Sequence, residues 1–147
     1  MNRVEKALDL FNNNFNCSQA VFTVFATDYG ISEELALKLA TSFGGGARSG
    51  EMCGAVSGAL MVLGLRYGHF IAEDNEQKQK VYSLGQEFVR RFKEMNNSIV
   101  CRDLLGYDLS KEDEYKIIAS KGLFKTICPN MVRDAVNILE QMICEYE

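Results

Sequence analysis

Five cysteines, Cys17, Cys53, Cys101, Cys128 and Cys144, carry the widest chemical range in this 147-residue sequence. A thiolate can attack a disulfide, be oxidised, or ligate a soft metal. The first four are separated by 36, 48 and 27 residues. No Cys-x-x-Cys pair exists, so the zinc-finger and thioredoxin spacings are both missing, and a joint site has to be assembled by the fold. The sequence has one histidine, which leaves no Ser-His-Asp or Cys-His-Asn arrangement to argue. His69 follows Gly68 and reads as a helix-end cap or surface residue.

The elements that position these thiols read as helices. Val4, Ala7, Leu8, Phe11 and Phe15 keep the 3-and-4 spacing of one helical face, predicting a helix over about 2–14. Asn16 is a good N-cap for a second helix over about 17–29, stopped by Gly30. Ser32, Glu33 and Glu34 open a third helix, with Leu35, Leu39, Ala40 and Phe43 as its apolar side. It ends at Gly44-Gly45-Gly46. Met52–Tyr67 is apolar nearly all round and reads as a glycine-rich central helix enclosed by the others. In it, Gly54 and Gly58 share one face and allow a neighbouring backbone to come close. Residues 74–95 form a long amphipathic helix, and a turn covers Cys101 to Gly106. Ser110 with Asp113 resembles a capping box for a helix reaching Ser120, and Pro129 starts the last helix. With no strand alternation and short connections, residues 1–147 read as a single all-α domain, a bundle of six or seven helices.

On this layout Cys17, Cys53 and Cys128 stand at or just before helix N-termini, where free N–H groups and the dipole favour a thiolate. Cys101 lies in a short turn before Arg102. A cysteine chosen for packing should instead scatter along apolar faces. Cys144, beside Ile143 in the last turn, is assigned to packing. The loop Gly44-Gly45-Gly46-Ala47-Arg48-Ser49-Gly50 could hold an anion through Arg48 and its backbone. It fails the phosphate-loop test, because Glu51-Met52 replaces Lys-Ser/Thr and a helix precedes it. It reads either as a flexible connection or as a loop whose N–H groups reach Cys53 or its bound group. Glu51 opposes a thiolate at Cys53 unless it points away or pairs with Arg48. The many Tyr and Phe residues are assigned to the core.

Composition narrows the function class. The formal net charge is −4, and no basic stripe exists to replace phosphate counterions, which argues against nucleic acid. The longest apolar stretch, Cys53–Leu65, falls short of the ~20 residues of a spanning helix. The N-terminus lacks the continuous apolar run of a secretory signal, so a cytoplasmic location is expected. There, cysteines are reactive, metal-binding or buried rather than locked in structural disulfides.

Cys17, then Gly-Gly-Gly and Cys53-Gly54-Ala55-x-x-Gly58-Ala59, then Cys101-Arg-Asp-Leu-Leu-Gly106, then Cys128-Pro129 resembles the C-GCAxxG-C-C family of redox-active proteins. The resemblance spans about residues 17–136. It implies that Cys17, Cys53, Cys101 and Cys128 are the family's four cysteines, with Cys144 outside the pattern. It also implies redox activity and association with transporters. A similar region of split-Soret cytochromes points to an iron–sulfur-binding part. No haem attachment motif occurs here.

Three readings follow. In the first, Cys53 is the activated thiol of a redox pair, resolved by Cys101, Cys17 or Cys128, with an electron donor or acceptor protein as partner. In the second, the same four thiols hold zinc or a [2Fe–2S] cluster as cofactor. In the third, Gly54 and Gly58 line a homodimer contact of a non-catalytic helical interaction protein.

Overall fold

The computed structural model describes residues 1–147, all helical apart from turns and one isolated β-bridge. Helix α1 (Arg3–Asn12) starts at a capping box in which the Asn2 side chain accepts from Glu5 N–H and the Glu5 carboxylate accepts from Asn2 N–H. The same device, built from Asn16 and Gln19, starts α2 (Cys17–Ala26). A 3₁₀ turn follows α2 over Thr27–Tyr29 and another follows α3 (Glu33–Ala40) over Thr41–Phe43. Next come α4 (Gly54–Tyr67) and α5 (Asn75–Asn96). Three short helices, α6 (Cys101–Leu105), α7 (Glu112–Ser120) and α8 (Leu123–Thr126), lead to α9 (Cys128–Tyr146).

The most deeply enclosed helix is α2 rather than α4. All ten residues of α2 are buried, whereas α4 exposes Gly64, Leu65 and Arg66 at its C-terminal end. Helix α4 is the main neighbour of α2, with α1, α3 and α9 around them and α5 lying across α4 and α9. Phe25 of α2 is fully buried beneath the Arg3 guanidinium, 4.6 Å from its ring centre. Burying a side chain of this size stabilises the fold by about 1.5–3 kcal/mol.

Gly54 and Gly58 face α2. A Cβ on Gly58 would meet the Ser18 carbonyl oxygen at 3.0 Å, so the two backbones touch only because this position is glycine. That face is consumed inside the chain, and the homodimer contact expected from it is not available. Gly64, by contrast, has open space around it.

Two further differences have local causes. Helix α3 buries Ala36 and Ala40 and leaves Leu35 and Leu39 exposed, as is Phe43 in the turn after it, because small side chains let the helix lie close against α2. Ser110 does not cap α7. Its N–H and hydroxyl both donate to Asp108 Oδ1, an Asx-type turn that competes with capping.

Candidate functional site

Each of the four family cysteines is placed by a different local device. Cys17 is the first residue of α2, directly after the Asn16 cap. Cys53 is the N-cap residue of α4, and its carbonyl accepts from Val56 and Ser57. Cys101 starts α6 and Cys128 starts α9, where Pro129 supplies the fixed φ of a first turn. Met52 and Val100 form an antiparallel bridge. Around it Cys53 N–H donates to Ile99 O at 2.7 Å, and Cys101 N–H donates to Glu51 O at 2.6 Å. Residues flanking such a bridge point to one face, so Cys53 and Cys101 are diagonal neighbours.

These devices converge on a cavity of about 650 Å³ lined by Cys17, Cys53, Cys101 and Cys128. Cys17, Cys53 and Cys101 are buried and Cys128 is half-buried. Cys144 is exposed, so the packing role expected for it is corrected. It sits on the outer face of α9, whose buried residues in this stretch are Leu139 and Met142.

The thiols are not equivalent. The Cys53 thiol is the chief influence on Cys17, lowering it from an ordinary 9.0 to about 6. Burial opposes the shift. The backbone N–H groups of Gly45, Ser18 and Cys17 itself assist it. The same pairing, then burial, then the charge on Cys17, push Cys53 well above the ordinary thiol range. Cys17 is thus lowered and Cys53 raised, whereas the sequence reading has Cys53 as the activated thiol. The physical reason is donor number: Cys17 has three N–H groups besides the thiol, and Cys53 is aided only by that of Ala55. Burial raises Cys101 to about 12, opposed by the Arg48 charge, and raises Cys128 to about 12.

Glycine allows this arrangement at two points. A Cβ on Gly54 would lie 2.5 Å from Cys17 Sγ and 3.0 Å from both Gly44 Cα and Phe43 O, so α4 starts with a residue that leaves room for the sulfur. Gly45, Gly46, Ala47 and Arg48 all have positive φ, between 55° and 66°. This left-handed turn carries Gly45 N–H to Cys17, and it is closed by Glu51 N–H donating to Gly46 O at 3.1 Å. The loop is clamped rather than flexible, since Arg102 donates to Gly50 O at 3.1 Å and pairs with Glu51 at 3.0 Å. Gly44 packs on the Asn16 side chain. Glu51 thus pairs with Arg102, and Arg48 lines the cavity instead.

The cavity pattern coincides with the sequence pattern. A family model described as Putative redox-active protein (C_GCAxxG_C_C) matches residues 15–142, which takes in all four cavity thiols and stops short of Cys144. The chain belongs to this family. No curated protein and no solved structure matches it. No three His, Cys, Asp or Glu side chains converge closely enough to hold a metal ion, so the four cavity thiols as arranged do not fit zinc or a cluster.

Several cavity residues were not singled out from the sequence. Phe11, Phe15, Tyr115 and Phe124 line the wall, although the sequence reading assigns aromatics to the core. Nothing in their spacing distinguishes them from core residues, because a cavity wall and a core contact use the same apolar face. His69 is exposed, in keeping with a surface role. No helix is long and apolar enough to cross a membrane.

Proposed function

We propose that this protein is a thiol–disulfide oxidoreductase in which Cys17 is the attacking thiolate and Cys53 the resolving thiol. The observation that carries this reading is the paired environment of the two sulfurs. Cys17 is lowered to about 6 and Cys53 is held protonated beside it, at the wall of an open cavity. At neutral pH Cys17 is the nucleophile. A substrate disulfide entering the cavity is attacked at one sulfur, a Cys17–substrate bond forms, and the other half leaves as thiolate. Cys53 then attacks Cys17 Sγ, passing its proton to the departing second half. The substrate gains two electrons, and the protein is left with a Cys17–Cys53 disulfide, which a dithiol reductant returns to thiols. Cys101, the diagonal neighbour of Cys53, is the next thiol able to accept the oxidation.

Cys53→Ser should arrest the cycle after the first attack. Mass spectrometry of that variant, treated with an aromatic disulfide, is expected to show one substrate half attached at Cys17. The parent protein should instead show the internal disulfide and no adduct. A stable adduct on the parent, or attack at Cys53 first, would overturn the assignment of roles. Tightly bound zinc or iron in anaerobically purified protein, with the thiols unreactive until it is removed, would overturn the function itself.

A further inference from the structure

Of the twenty residues lining the thiol cavity, two are cationic, Arg48 and Lys125, and none is acidic. This is a local reversal in a chain with 20 Asp plus Glu against 16 Lys plus Arg. Neither cation is neutralised, since no carboxylate pairs with Arg48 or Lys125 in any ion pair of the structure. Nine of the other 14 Lys and Arg side chains do pair, including Arg102 next door with Glu51 at 3.0 Å. Arg48, an exposed residue of the left-handed turn, lines the cavity. A Cβ placed on Gly45 would lie 2.9 Å from its Nη1, and Gly45 is the residue whose N–H reaches Cys17. The rest of the wall is largely apolar, with Phe11, Phe15, Tyr115 and Phe124 as its aromatic part.

Resting on the thiol–disulfide reading, we propose that the substrate is a small anionic disulfide with an aromatic or otherwise apolar body. Arg48 and Lys125 take its negative group and the aromatic side chains take its body. A small molecule is favoured over a protein disulfide because the reactive cysteines are only 7–8% exposed at the wall of a cavity of about 650 Å³, within the size range of small-molecule sites. The two cations raise the local concentration of an anion. They also stabilise the thiolate that leaves when Cys17 forms its bond to the other sulfur.

The test compares two aromatic disulfides of opposite character, anionic dithiobis(nitrobenzoate) and neutral dithiodipyridine, reacting at Cys17 in a Cys144→Ser background. The quantity read is the ratio of the two rates. In Arg48→Gln/Lys125→Gln this ratio is expected to fall roughly tenfold or more, with circular dichroism confirming that the variant is folded. A ratio unchanged while both reagents still react at Cys17 overturns the anionic substrate and leaves the thiol–disulfide reading standing. If neither reagent reacts at Cys17, the thiol–disulfide reading fails. The cavity is then judged by binding of naphthalene sulfonate to Cys17→Ser: affinity that depends on Arg48 and Lys125 retains an anion site, and its absence overturns this inference as well.

Discussion

Removing the Cys53 thiol is the sharpest perturbation of the site. In the folded protein the Cys53 contact is the largest influence lowering Cys17 to about 6. At that value about nine-tenths of Cys17 is thiolate at pH 7, against about one part in a hundred at the ordinary value. Cys53→Ala leaves the N–H groups of Gly45, Ser18 and Cys17 still working against burial. The midpoint is therefore expected to rise by about two units, which reduces the thiolate fraction at pH 7 roughly tenfold. An alkylation rate at one pH would conceal this, because a more basic thiolate is more nucleophilic, with a Brønsted slope of about 0.4–0.5. Over two units that gain nearly cancels the lost thiolate. The assay is thus a titration of thiolate ultraviolet absorbance in a Cys144→Ser background. There the three other thiols ionise far above Cys17, and the exposed Cys144 no longer contributes. Cys53→Ser, which retains a donor, should bring the midpoint part of the way back. A Cys53→Ala midpoint within about half a unit of its parent would refute the hydrogen-bond account, as would a Cys53→Ser variant no better than Cys53→Ala.

Stability should depend on pH through the same thiols. Cys17 is lowered in the fold, so its contribution is present above the ordinary thiol value and is lost as pH falls towards 6. Cys53, Cys101 and Cys128 are raised, so theirs is lost as pH climbs from the ordinary value towards 12. Urea midpoints should rise from pH 6 to about 9 and fall beyond it, and Cys17→Ser should lose the rising limb; a rise that survives this substitution would refute the assignment. Gly54→Ala gains up to about 1 kcal/mol of helix propensity but places a methyl against the sulfur and two rigid backbone atoms. With overpacking at ~1–3 kcal/mol, a net loss is expected by urea denaturation, together with a raised Cys17 midpoint. A stabilised Gly54→Ala protein would mean the sulfur has room to move. Ala47 is exposed and has φ 58°, so Ala47→Gly removes strain of about 1–2 kcal/mol without losing packing. A small net gain in thermal midpoint should result after the entropy of the unfolded chain is counted, and a lower midpoint would show that the turn is not strained at this residue.

Long helices were legible because their signal is local: a 3.6-residue apolar period over ten or more residues fixed the places of α1, α2, α5 and α9 to within a few residues. Helices α6 and α8, five and four residues long, are too short to display a period. In the sequence the larger side chains of α3 look like the better core, whereas proximity to α2 selects Ala36 and Ala40 for burial. Cys144 carries the same one-letter evidence as a core residue, and only the rotation of α9 turns it outward.

By itself the sequence determined that the chain is all-α, that Asn16 and Pro129 start helices beside Cys17 and Cys128, and which four cysteines belong to one pattern. Those are consequences of neighbours a few residues apart. Tertiary structure alone decided that the four thiols share a cavity, that Arg48 and Lys125 stand unpaired on its wall, and that Cys17 is lowered while Cys53 is raised. A thiol's acidity is set by whichever donors surround the sulfur. At Cys17 the decisive ones, Cys53 and Gly45, come from distant parts of the chain, where no local spacing rule can reach.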